Sequence, residues 1–247
     1  MSALASFPSP FAAVIIGASG GLGRAFVEQL ALDPAVSEVL ALARQAGEWA
    51  SPKVSAGQID LLSEESIAAA AEHCRSTAPR LVIMATGVLH EGMRLKPEKS
   101  LADLDAAALA RVLAVNAIGP ALVLKHFVPL LPRTGKSVIA ALSARVGSIS
   151  DNRLGGWYAY RASKAALNQV LRTASIEVAR RWREAVIVGL HPGTVATSLS
   201  EPFRGNVRPE QLFTADYSAG RLLAVIDGLG AGDSGGCFAW DGSAVPP

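Results

Sequence analysis

The run Ala12-Ala13-Val14-Ile15-Ile16, followed by Gly17-Ala18-Ser19-Gly20-Gly21-Leu22-Gly23, decides the fold. Its first part is short, continuous and apolar, which predicts a buried strand. Gly21 to Ala31 then predicts a helix. Glycines between the two allow positive φ and close approach of backbone to a phosphate. The opening helix offers free N–H groups and partial positive charge to a pyrophosphate. Strand, glycine turn and helix in this order predict a dinucleotide site, with a tight ligand-free turn as the plain alternative.

Working outward, short apolar runs recur at regular spacing. Further strands are predicted at Val39 to Leu42, near Val54 to Ile59, at Leu81 to Met84, Ser137 to Leu142, Val186 to Leu190, and near Cys237 to Trp240. Between them, Ser63 caps a predicted helix that runs to about Ala78. Leu104 to about Leu131 is helical, with Gly119-Pro120 as the expected bend. Tyr158 to Arg181 predicts a long helix and Ala215 to Ile226 another. Continuous apolar strands alternating with helices predict a parallel sheet covered on both faces. The expected fold is α/β: one doubly wound, Rossmann-like domain over residues 1–247, with about seven strands.

Composition narrows the function. Half of the 247 residues are hydrophobic, and the net charge is +2, so no polyanionic partner is implied. The cluster Arg180-Arg181-Trp182-Arg183 complements a helix C-terminus rather than a nucleic acid. Cys74 and Cys237 stand far apart, which argues against a disulfide framework, and no metal-ligand spacing occurs. Met1 to Pro10 carries no secretory pattern. Ala114 to Leu131 is the most apolar stretch, but Asn116, Lys125 and helix breakers interrupt it, so no membrane span is expected. A cytoplasmic location is the expectation.

Tyr160-Arg161-Ala162-Ser163-Lys164 carries the chemistry. Tyrosine and lysine four apart share one helix face. An ammonium beside a phenol favours the phenolate, bringing an ordinary pKa of about 10 nearer neutrality. Such a phenol can exchange a proton with a carbonyl oxygen.

With Gly17, Gly21 and Gly23, the Tyr160/Lys164 pair resembles the short-chain dehydrogenase/reductase family, whose turn reads T-G-x-x-x-G-x-G. Ile16 replaces the threonine. The resemblance covers nearly the whole chain. It implies hydride transfer between a nicotinamide and a carbonyl or alcohol substrate, with Tyr160 as general acid/base and Lys164 binding the cofactor ribose. In the cofactor site it places Gly17, Ser19, Gly21, Leu22 and Gly23. The second strand ends in Arg44 where NAD enzymes carry an acid, which implies a preference for NADP(H), with NAD(H) possible and an ordinary surface arginine as the alternative. Asp60 and Leu61 stand where an aspartate approaches the adenine, although Asp60 equally suits a turn cap. Met84-Ala85-Thr86-Gly87 retains only the last residue, Gly87, of the family's N-N-A-G. Pro192, Gly193, Val195 and Thr197 match the loop beside the nicotinamide.

The same resemblance makes Asn116 the helix asparagine of a catalytic tetrad. Its serine is the departure. Aligned on Gly147, Ala144 fills the serine slot and Ser143 stands one residue early. Three outcomes are open: Ser143 reaches the site, Ser148 substitutes, or no serine serves. Gly147-Ser148-Ile149, the run Gly156 to Arg161, and Phe238 to Gly242 resemble the branch with C-factor-like and sniffer-type carbonyl reductases. Residues from about 194 to 214 form the expected substrate lid, with Leu199, Pro202, Phe203 and Leu212 as an apolar wall and Arg204 and Arg208 as anchors or solvated charges. The family also implies a homodimer or homotetramer. A non-catalytic NADP(H) sensor on the same fold is the rival reading, which Ala144 keeps open.

Overall fold

A computed structural model describes residues 4–92, 94–202, 208 and 211–247. In chain order its elements are β1 (Phe11–Ile16), α1 (Gly21–Leu32), β2 (Val36–Ala43), β3 (Val54–Gln58), α2 (Glu64–His73) and β4 (Leu81–Met84). They continue with α3 (Ala106–Leu113), α4 (Gly119–Phe127), β5 (Ser137–Leu142), α5 (Tyr158–Val178) and β6 (Ala185–His191). The last are β7 (Thr194–Val195), β8 (Leu212–Phe213), α6 (Ala215–Gly228) and β9 (Cys237–Ala239).

Seven strands form one parallel sheet in the order β3-β2-β1-β4-β5-β6-β9. Alternate residues of the buried strands point to opposite faces. Ile15, Ile83, Ala140 and Val188 meet Phe26 and Leu30 of α1 and Leu222 and Ile226 of α6. Ile16, Met84, Ile139 and Ile187 meet Ile67 of α2, Phe127 of α4 and Leu167 and Leu171 of α5. Both faces are covered, which is why these strands read as unbroken apolar runs rather than alternating ones. The chain order reverses beside β1, which pairs with β2 on one side and β4 on the other. A crevice opens at such a switch point, beyond the carboxyl ends of the strands.

The long helical run differs from expectation. Its irregularity is a π-helical turn at Ala114–Ile118, not a bend at Gly119-Pro120. Gly119 N–H donates to the Ala114 carbonyl five residues back, and Pro120, which has no N–H, lies in the first turn of α4. Gly119 is there because a Cβ would lie 2.8 Å from Leu61 Cβ. Ala106–Leu130 is also long and apolar enough, by length and composition, to cross a membrane, which corrects the expectation of no such stretch. Here the run packs against α2 and α5. The helix expected to reach Ala78 stops at His73 and continues as a 3₁₀ turn, Arg75–Thr77. β7 and β8 form a separate small parallel pair.

Candidate active site

The glycine turn is built for close approach. Gly17 has φ +90°, and its N–H donates to Leu42 O at 2.8 Å. A Cβ on Gly17 would sit 2.8 Å from Thr86 Cγ2, and one on Gly23 would sit 2.0 Å from Gly17 O. A Cβ on Gly21 would press 2.8 Å from Thr197 Cγ2. α1 follows Gly20, its N-cap, with no side-chain cap and no acid in its first turn, so no side chain claims its leading N–H groups. Beside the turn lies a cavity of about 500 Å³ lined by Gly17, Ser19, Arg44, Asp60, Leu61 and Gly87. Asp60 also accepts from Leu62 N–H at 3.0 Å, so it caps a turn and lines the cavity at once.

This cavity shares Gly20, Ala85, Thr86, Gly87, Leu89 and Leu199 with a second one of about 360 Å³. Leu22, Tyr160, Lys164, Pro192, Gly193, Val195 and Thr197 line the second. The sequence therefore scatters along the chain what the fold gathers into one cleft. The cleft fits a nicotinamide dinucleotide: it has a glycine cradle, a free helix N-terminus and one buried hydroxyl, Thr86 Oγ1, with no partner.

Tyr160 and Lys164 are both buried on the first turns of α5. The helix begins after Trp157, which has φ +51° and supplies no side-chain cap. Glu98 supplies one from another loop: its Oε2 accepts from Ala159 N–H at 3.2 Å and its backbone O from Trp157 N–H at 2.5 Å. Sequence reading missed Glu98, since nothing local links it to a helix sixty residues on. Lys164 Nζ donates to Leu142 O at 2.7 Å and lies 5.7 Å from the Tyr160 ring centroid.

Burial pushes the Tyr160 phenol up to about 12 and Lys164 down to about 8. Contrary to the expectation, the ammonium does not offset the burial of the phenol. The ammonium is spent on Leu142 O, and desolvation dominates both groups.

Asn116 sits in the π turn, fully buried. Its Oδ1 accepts from Val88 N–H at 2.8 Å, and its Nδ2 donates to Val88 O at 2.9 Å and Ser163 Oγ at 3.0 Å. It ties the loop after β4 to α5. A Cβ on Gly87 would lie 3.5 Å from Lys164 Nζ and 3.6 Å from Asn116 Oδ1, which places Gly87 at the same junction.

Among the described residues no serine hydroxyl bonds the Tyr160 phenol. Ser143 Oγ donates to Asn168 Oδ1 at 2.7 Å, one turn beyond Lys164. Ser148 Oγ donates to Pro247 O at 3.2 Å and accepts from Asp151 N–H. Ala144 lines the cleft without a hydroxyl.

The loop after β6 is pinned from several sides. Pro192 O accepts from Ser218 Oγ at 2.8 Å, and Gly193, at φ +76°, has room for no Cβ because Phe213 lies 2.6 Å from where it would be. Phe213 in turn packs edge-on to Trp240 at 4.6 Å. Of the expected lid, Leu199 lines both cavities and Arg208 is exposed, while Phe203 and Arg204 lie outside the described residues.

Buried Lys164 leaves a mark on stability. Its proton leaves near pH 8 in the folded protein and near the ordinary 10.5 in the unfolded chain. Between these values the unfolded chain holds more protons, so this group makes stability rise with pH. Relative to Lys164→Met, the wild type is expected to gain about 3 kcal/mol from pH 8 to 10.5, read from urea midpoints. A difference that stays flat would show that Lys164 is not desolvated.

A family model described as short chain dehydrogenase matches residues 12–207. This chain belongs to that family. It is 38% identical over 147 residues to C-signal of Myxococcus xanthus, across 60% of this chain and 83% of that one. It is 28% identical over 225 residues to 1-hydroxy-2-glutathionyl-2-methyl-3-butene dehydrogenase of Rhodococcus, across 90% and 93% of the two chains. Among solved structures, the NADPH-bound carbonyl reductase from chicken fatty liver superposes with a TM-score of 0.83, at 25% identity, over 98% of this short chain dehydrogenase and 97% of that chain.

Proposed function

We propose that this oxidoreductase is an NADPH-dependent carbonyl reductase with Tyr160 as its proton donor. The observation that carries the reading is the buried Tyr160–Lys164 pair on the wall of a cavity continuous with the glycine turn. When bound, a reduced nicotinamide would supply the hydride to the carbonyl carbon. The Tyr160 phenol delivers the proton to the oxygen as the C=O becomes an alcohol. The phenol is in its acid form at neutral pH, as reduction requires, and burial pushes its pKa further up. Lys164 Nζ, 5.7 Å from the Tyr160 ring centroid, brings a cation close to the forming phenolate, and Asn116 holds the adjoining loop in place. Gly17, Ser19, Gly21, Leu22 and Gly23 would hold the pyrophosphate. Asp60, Leu61 and Gly87 would flank the adenosine half, and Pro192, Gly193, Val195 and Thr197 the nicotinamide half.

Arg44 lies in the larger cavity, where its guanidinium suits a 2′-phosphate. Arg44→Ala is expected to raise the Kd of NADPH by about 10–100-fold and leave NADH unchanged, the worth of one charge-assisted hydrogen bond. Equal losses for both nucleotides in a fluorescence titration would remove the 2′-phosphate role.

Ala144, and the engagement of Ser143 with Asn168, favour a second reading: a dinucleotide-binding sensor that does not turn over. NADPH oxidation over a panel of aldehydes, ketones and quinones tests both. Turnover supports the reductase. Tight NADPH binding with no turnover supports the sensor.

A further inference from the structure

Ala144 leaves the reductase reading with a missing donor. In the residue-by-residue match, a serine hydroxyl should help Tyr160 hold the substrate oxygen, and here both nearby serines are committed elsewhere. The cleft nevertheless holds another polar side chain. His191 ends β6 and lines the same cavity as Tyr160, Lys164 and Ala144.

Its position follows from the sheet. A Cβ on Gly189 would meet Ser143 Cβ at 3.4 Å, Asn168 Oδ1 at 3.3 Å and Cys237 Sγ at 3.2 Å, so Gly189 faces α5. His191, two residues further along the strand, shares that face. It stands beside Ser143, whose N–H donates to Leu190 O at 2.8 Å.

The two ring nitrogens differ. Among the described residues Nδ1 is buried with no partner. Nε2 makes no hydrogen bond among them either but is not fully buried, and the ring lines the cavity. Burying an N–H with no acceptor is the costlier choice, because orphaned donors are rarer than under-used acceptors. The proton therefore belongs on Nε2, facing the cleft. Burial, helped by the Arg145 charge and opposed by Asp241, drives the imidazole down to about 4, so it stays neutral at working pH. A neutral ring with Nε2–H is a donor without a net charge.

We propose that His191 is the second hydrogen-bond donor to the substrate carbonyl oxygen, taking the place that Ala144 leaves empty. The inference rests on the reductase reading. Tyr160 remains the group that gives up its proton; His191 polarises the C=O and aligns it.

The test pairs kinetics with a measurement that needs no turnover. His191→Phe keeps a ring and loses the donor, and His191→Gln restores an N–H. The expected loss of kcat/KM for ketone reduction in His191→Phe is about 10²-fold, mostly in kcat, with at least about 10-fold regained in His191→Gln. The NADPH Kd of both variants stays at the wild-type value. Independently, benzil is titrated into the wild type with NADP⁺, which cannot reduce it, and the imidazole ¹⁵N resonances are followed. The Nε2 resonance absent from His191→Gln is expected to move.

Wild-type kinetics in His191→Phe, alongside a dead Tyr160→Phe, would overturn the His191 role and leave the reductase standing. Undiminished turnover in Tyr160→Phe would overturn the reductase reading itself. A wild type that neither turns over nor shifts its His191 resonance with benzil would overturn both.

Discussion

Tyr160→Phe is expected to lower kcat/KM for NADPH-dependent carbonyl reduction by about 10²–10⁴-fold, the range of a positioned general acid. The substitution removes one oxygen from a side chain that is only 8% exposed, and among the described residues no hydrogen bond depends on that oxygen. Stability should therefore change little, since the phenol oxygen opens on the cleft and leaves no buried partner behind. NADPH affinity should change little. The decisive comparison is kcat against Kd in one preparation. A large loss of binding would mean that the phenol holds the cofactor rather than the substrate oxygen, and retained turnover would remove Tyr160 from the chemistry.

Gly23→Ala is expected to cost about 3 kcal/mol or more, at the upper end for overpacking, and roughly 6–12 °C in Tm. The new Cβ would lie 2.0 Å from Gly17 O and 2.8 Å from Gly17 C, which are backbone atoms and cannot rotate aside. Gly17 O is itself committed to Gly20 N–H at 3.0 Å, so the turn must open to admit a methyl group. The same opening spoils the phosphate cradle, and NADPH should bind at least ~10²-fold more weakly. Gly228→Ala is the control. Nothing lies within 4 Å of its Cβ position at the end of α6, and stability there should stay level or rise by up to about 1 kcal/mol. Similar melting of both variants would mean that the glycine turn has slack that the close contacts do not suggest.

The order of elements was legible because burial on both faces leaves a plain trace. β1, β4, β5 and β6 have nearly every residue buried, and each appears in the chain as an uninterrupted apolar run. The glycine turn and the Tyr160–Lys164 pair were legible for a similar reason. Gly23 is forced by Gly17 O inside one short turn, Gly17 takes a positive φ there, and a four-residue spacing fixes the helix face. Local geometry of this kind is written in adjacent residues.

What the sequence could not give depends on contacts across long separations. Whether Ser143 serves the phenol turns on Asn168, twenty-five residues away, which takes its hydroxyl. That the phenol is pushed up rather than down turns on burial around α5. The cap of α5 comes from Glu98, and the irregularity beside Asn116 is a π turn closed by Gly119 N–H rather than a bend. His191 is marked by no motif, and only the fold sets it on the same cavity wall as Ala144. By itself the sequence determined the strand order's raw material, the glycine cradle and the tyrosine–lysine spacing, because these rest on local sterics and periodicity. Only the tertiary structure decided which polar atoms are already spent and which remain free for a substrate, because hydrogen-bond partners and desolvation are set by neighbours distant in the chain.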